Sequence, residues 1–149
     1  MKQLDMKSLV SYVALKVLGG SDFVLDALEE YLVKGDGPAT VAHRYSISKH
    51  QLRGYAQRVT EKSGGELRAK KIVPILREIF KDTEPVVSKA STGMFVCKIC
   101  GQSMPKEDTE EHIRKFHKEV VVLAIKNSMQ KLENLKKARE QVIFTSTNK

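Results

Sequence analysis

Apolar residues recur at helical spacing along most of this chain. Over residues 5–18, Leu9, Val10, Val13, Ala14 and Val17 fall on one side of a helix, and Gly19-Gly20 stops it. Ser21 or Asp22 can cap a second helix over 22–33, whose apolar set is Val24, Leu25, Leu28, Tyr31 and Leu32. Gly35 and Gly37 end it, and Pro38 suits the first position of a third helix over 38–45. A tight turn at Ser46-Ile47-Ser48 leads into a helix over 49–62. Its start carries a capping box, Ser48 with Gln51 three residues on, and Gly64-Gly65 closes it. Over 66–80, Ala69, Ile72, Val73, Leu76, Ile79 and Phe80 suit a helix that Pro74 would kink or restart, with a short strand over 67–73 as the alternative. The pattern predicts a mainly α chain: a helical domain over 1–82, a linker over 83–93, a small module over 94–118 and a final helix over 119–144, with residues 147–149 fraying.

Charge sharpens this picture. The net charge is +8 and the pI about 9.5. Between Pro38 and Arg77 stand nine bases (Arg44, Lys49, Arg53, Arg58, Lys62, Arg68, Lys70, Lys71 and Arg77) against two acids (Glu61 and Glu66), which leaves +7 in that segment. Such a segment favours a polyanionic partner, nucleic acid first. Trp is absent and aromatics are 6%, so the core must come from Leu, Ile, Val and Ala. No apolar run approaches the length of a membrane span, and the first ten residues do not read as a secretory signal. The expected location is cytoplasmic, or with DNA in a nucleoid or nucleus.

The two cysteines of the chain and two of its histidines form one spaced set. Cys97-x2-Cys100 is followed, after eleven residues, by His112-x4-His117. Two thiolates and two imidazoles fill the tetrahedral positions that Zn²⁺ prefers. Thiols used this way belong to a reducing compartment. Four protein ligands leave no open position for a reacting water, so the expected site is structural rather than catalytic. A redox role for the two cysteines needs a βαβ setting that the pattern lacks.

The stretch FVCKICGQSMPKEDTEEHIRKFH resembles the two-cysteine, two-histidine ββα zinc finger. Phe95 stands two before the first cysteine, Met104 stands where the family has a core Phe, and His-Ile-Arg at 112–114 is typical. The central spacer is one residue short, and Thr109 replaces the family's core Leu, which implies a distorted helix start and a thinner core. The resemblance implies a module that folds with Zn²⁺, which contributes about 10–16 kcal/mol at neutral pH. The positions that reach bases in DNA-reading fingers correspond to Pro105, Glu107, Asp108 and Glu111. With Glu110 they make an acidic surface, offset only by Lys106. A structural or protein-contacting finger is therefore expected over a base-reading one.

The segment TVAHRYSISKHQLRGY, 40–55, resembles the helix-turn-helix of bacterial and archaeal regulators and of transposase DNA-binding domains, over about 22–62. Ala42 is the small residue where the helices cross, Ile47 plugs the turn, Ser48 caps the second helix, and Leu52, Tyr55 and Val59 anchor it. Ser46 stands where the family usually has Gly. The resemblance implies binding to double-stranded DNA, and the joining of these parts resembles small regulators of archaea and their viruses or plasmids. Independently of it, turning Leu52, Tyr55, Ala56 and Val59 inward leaves Lys49, His50, Arg53, Gly54, Gln57 and Arg58 on the opposite face. A helix fits the major groove, where Arg pairs with guanine and Gln with adenine. Arg44 and Lys49 suit phosphates. Gly54 costs about 1 kcal/mol of helix propensity, and its bare backbone suits close approach to DNA or to a packed neighbour.

After His117, Val122, Ile125, Met129, Leu132, Leu135, Ala138 and Val142 recur every three or four residues. That stripe either packs on its own domain or makes a homodimer, which would suit two DNA half-sites. The function expected is a sequence-specific DNA-binding transcriptional regulator without enzymatic activity or an evident small-molecule substrate. The alternatives are a protein adaptor docking through the finger and last helix, or the DNA-recognition part of a transposition, recombination or replication system.

Overall fold

The structure, a computed structural model, describes residues 5–147, with side chains up to residue 138. The fraying expected at Thr147–Lys149 and the stripe position Val142 lie at or beyond those limits. The described residues form seven α-helices and a small three-stranded sheet: α1 (Met6–Leu18), α2 (Val24–Leu28), α3 (Pro38–Arg44), α4 (Lys49–Ser63), α5 (Glu66–Phe80), β1 (Val87–Lys89), β2 (Phe95–Cys97), β3 (Ser103–Met104), α6 (Thr109–Phe116) and α7 (Lys118–Thr147). α2 runs straight into a wider π-helical turn, Glu29–Val33.

The largest apolar cluster joins α1, α2, α4, α5 and α7, with Leu9, Val13, Leu28, Val59, Leu76 and Leu132 among its buried members. A second cluster, Ala27, Val41, Ala42 and Leu52, sets the corner between α3 and α4, with Ile47 packed against it. Asp5 caps α1 through a bond from the Ser8 amide (3.0 Å), and its own amide donates to the Lys62 carbonyl (2.9 Å). The Ser48 box is present: the Gln51 amide donates to Ser48 Oγ, and the Ser48 amide to Gln51 Oε1, both at 3.0 Å.

Residues 66–80 are one continuous helix. Pro74 lies on its exposed side, while Ala69, Val73, Leu76, Ile79 and Phe80 are buried at helical intervals. Packing along that side holds the helix through the proline, which by itself costs about 3 kcal/mol or more. Strand spacing would put half of these residues in water.

The stretch expected to be a linker holds β1. Antiparallel pairing joins β1 to β2 (Val87 to Cys97, Lys89 to Phe95) and β2 to β3 (Phe95 to Met104). The α7 stripe is largely spent within the chain, with Ile125, Met129, Leu132 and Leu135 packed on the main cluster. Val122 and Ala138 are exposed.

Candidate metal centre and basic helix face

Cys97 sits at the end of β2, and the chain turns back at once. The Gly101 amide donates to the Cys97 carbonyl (2.8 Å), and the Cys97 amide to the Gln102 carbonyl (2.9 Å). Gly101 has φ +79°, a left-handed turn conformation that a Cβ would strain. The turn carries Cys100 to the metal side. α6 projects His112 inward, and His117 caps its end, where its amide still donates to the Ile113 carbonyl (2.9 Å).

Cys97 Sγ lies 3.4 Å from His117 Nε2, and Cys100 Sγ lies 3.4 Å from His112 Nε2. All four donor atoms lie within 4.8 Å of one another. A tetrahedral zinc with ordinary bond lengths separates S from N by about 3.6 Å and S from S by about 3.8 Å. Cys97, His112 and His117 are buried and Cys100 is exposed. The geometry can hold a metal ion such as zinc through two thiolates and two Nε2 atoms. Buried His112 Nδ1 has no partner. Metal-bound histidines usually donate from that nitrogen, which fixes the ring; the His112 ring lies beside Phe116, 5.3 Å between centroids.

One side of the α6 start packs against the end of α1, while Glu107, Asp108 and Glu111 face solvent. A turn of 3₁₀ helix, Lys106–Asp108, precedes it and lies against the end of α1. Thr109 is fully buried, and its Oγ1 donates to the Gly19 carbonyl (2.9 Å). Glu110 pairs with Lys16 (3.1 Å), and Lys106 Nζ donates to Ser21 Oγ (2.6 Å). A Cβ on Gly19 would stand 2.8 Å from Glu110 Cγ and 3.2 Å from Thr109 Oγ1. One on Gly20 would stand 3.2 Å from both Phe95 and Val87. The double glycine therefore ends α1 and also admits the metal module. Leu18, Val87, Ile113 and Val121 close a shared core behind this contact. None of these docking residues was legible as a set in the sequence. The substitution of Thr109 for an apolar residue was its trace.

The same contact holds three perturbed groups. Burial, then the neighbouring Tyr55 and Glu110, raises the Tyr12 hydroxyl well above its ordinary range. Burial and then Glu110 raise Tyr55. Burial lowers Lys106, which lies 5.3 Å from the Phe95 ring centre. Lys16 lies over the Tyr12 and Tyr55 rings while it pairs with Glu110, so one ammonium joins α1, α4 and α6.

The other candidate face is on α4. Leu52, Ala56 and Val59 are buried, and Tyr55 is half-buried against the main core. Lys49, His50, Arg53, Gln57 and Arg58 are exposed. Gln57 bonds Glu61 (3.0 Å). Among the described residues, Lys49, Arg53 and Arg58 make no ion pair, nor do Arg68 and Lys71 on α5. Arg44 differs from this group. Its guanidinium is held by Glu30, with Asp36 at 3.7 Å, and the Tyr45 hydroxyl also donates to Glu30. Arg77 is paired likewise, with Asp26 at 2.8 Å. The α3–α4 turn passes through Ser46 at φ +57°, a left-handed conformation uncommon outside glycine. Among the described residues no helix is long and apolar enough to cross a membrane. No protein-family model, curated protein or solved structure matches this chain significantly.

Proposed function

We propose that this protein binds double-stranded DNA sequence-specifically, as a transcriptional regulator, with α3 and α4 acting as a helix-turn-helix and α4 entering the major groove. The observation that carries the reading is the outward face of α4, where Lys49, His50, Arg53 and Arg58 are exposed and, among the described residues, the three permanent cations have no carboxylate partner. The left-handed Ser46 turn, the Ala42–Leu52 crossing and the Ser48 cap support it. Arg53 and Gln57 are the base readers, and Lys49 and Arg58 meet phosphate. Arg44, already engaged by two acids, contributes little. The Cys97, Cys100, His112 and His117 set binds Zn²⁺ in a ββα-type module whose role is structural. Thr109 and Glu110 hold one side of its helix start against α1, and the positions that would meet bases, Glu107, Asp108 and Glu111, are exposed acids that repel phosphate.

Selection of bound sequences from a random duplex pool by the zinc-loaded protein tests this reading. A defined consensus is expected, and a palindromic one would report two copies per site. Arg53→Ala should cost about 1–3 kcal/mol on that consensus and relax its base preference. Lys49→Ala should weaken all duplexes alike and flatten the salt dependence by about one unit of log–log slope. An adaptor reading has one observation in its favour, the exposure of Phe116 (66%), Val122 (52%) and Leu123 (57%) around the α6–α7 junction. Failure of the zinc-loaded protein to enrich any duplex would turn the assignment toward it.

A further inference from the structure

Gly54 stands in the middle of α4, a fifteen-residue helix, at a position where the fold gives it no work. Its φ is not left-handed, so the backbone does not require glycine there. A Cβ built on it would meet no atom within 4 Å, so no neighbour requires the space either. After proline, glycine is the residue least suited to a helix interior. The contrast with Gly19, which is pressed by α6 on its open side, is direct. His50, Arg53, Gly54 and Gln57 follow the i, i+3, i+4, i+7 rule and form one outward stripe, with the bare position between a cation and two hydrogen-bonding side chains.

We infer that Gly54 is the point at which duplex DNA comes closest to the axis of α4, nearer than a methyl group would allow. This inference rests on the DNA-binding reading and adds a docking geometry to it. A helix about 10–12 Å across nearly fills a groove about 12 Å wide, so one missing side chain sets how deep it can sit. Gly54 lies in the second turn of α4, flanked by Arg53 beside it and by His50 and Gln57 one turn to either side. The helix therefore lies along the groove floor, and its first turn is not the sole contact. The two long readers, Arg53 and Gln57, reach base edges only at that depth. Glycine at 54 is a specificity determinant through position, since it carries no group that reads a base.

The test compares wild type, Gly54→Ala and Gly54→Leu as full, zinc-loaded chains. The probes are the duplex that wild type enriches from a random pool and an unenriched duplex of equal length, at one salt concentration. Gly54→Ala should melt about 2–4 °C higher, since it gains helix propensity and meets nothing inside the protein. It should bind the enriched duplex about tenfold more weakly, and Gly54→Leu about a hundredfold, the scale of one lost base contact. Binding to the unenriched duplex, which rests on phosphate contacts, should weaken by a smaller factor than binding to the enriched one. Variants that bind the enriched duplex as tightly as wild type overturn the inference while the DNA-binding reading stands. A wild type that enriches no duplex overturns that reading and the inference together.

Discussion

Gly19→Ala tests whether the metal module is clamped to the helical domain. Gly19 caps α1 at φ −81°, which alanine adopts without strain. In a free helix end this exchange would stabilise by about 0.4–1 kcal/mol, because it restricts the unfolded chain. In this structure the new methyl would stand 2.8 Å from Glu110 Cγ, 3.0 Å from the Leu15 carbonyl oxygen and 3.2 Å from Thr109 Oγ1. The carbonyl belongs to α1 itself and cannot retreat, and Glu110 is held by Lys16. α6 must therefore move outward. Overpacking of this kind costs about 1–3 kcal/mol, and loss of the Thr109 bond to the Gly19 carbonyl adds about 1 kcal/mol. Set against the chain-entropy gain, the zinc-loaded protein should lose about 1–3 kcal/mol, or about 2–4 °C of melting temperature for each of these. Melting by far-UV circular dichroism reads it directly. After chelation, which removes the force holding α6 together, the contacts with Glu110 and Thr109 are relieved and only the one with Leu15 inside α1 stays, so the cost of the substitution should shrink. A zinc-loaded Gly19→Ala that melts higher than wild type would refute the clamp, because only an undocked module leaves Gly19 free to gain.

Three further outcomes follow from single features. Ser46→Gly should stabilise by about 0.5–1 kcal/mol in urea denaturation, since relief of a left-handed residue, about 1–2 kcal/mol, exceeds the added freedom of the unfolded chain; a loss of stability would show that the Ser46 side chain holds the turn. Cobalt in place of zinc should give one ion per chain with the absorption of a tetrahedral site, and Cys97→Ser should abolish it; an octahedral spectrum would exclude the four-ligand set. Tyr12 and Tyr55 keep their protons in the folded state above the ordinary value of 10.0. The unfolded chain binds fewer protons there, so stability should fall as pH rises past 10. Tyr12→Phe should flatten that fall, and an unchanged slope would show that Tyr12 is not shielded.

The helices were legible because each buries residues at intervals that a helix alone brings to one side, as in Ala69, Val73, Leu76 and Phe80. Pro74 left open a kink, a restart or a short strand over 67–73, and the helix runs through because its side facing water tolerates the proline. β1 was not legible. Three residues with one buried side chain, Val87, carry no period, and they are a strand only because β2 lies beside them. The α7 stripe was visible, but a stripe does not say which surface covers it; Met129 and Leu132 face the protein's own core. Spacing gave the four metal donors, because they are close in sequence. The Thr109–Gly19 contact spans ninety residues and left only two local oddities, a polar residue at a core position and a second glycine after a helix stop.

Those oddities explain how the two-cysteine, two-histidine module, with its acidic end, sits on a basic protein. The module's own core is small, with Met104, Thr109 and Ile113 buried, and Ile113 clusters with Leu18 of α1, Val87 of β1 and Val121 of α7, with Phe95 of β2 packed against them. Docking supplies the apolar burial that a module of this size lacks. It also uses the acid at Glu110, which would repel phosphate if exposed, to hold Lys16 beside Tyr55 of α4. His117 ends α6 and directly precedes α7, so a metal bound there fixes both the helix before it and the long helix after it. α7 lies on α1, and α1 packs on α4. A metal held there would act on the basic face through rigid packing, without touching it. A lone finger aimed at bases would need the opposite arrangement: a free α6 start and a basic one.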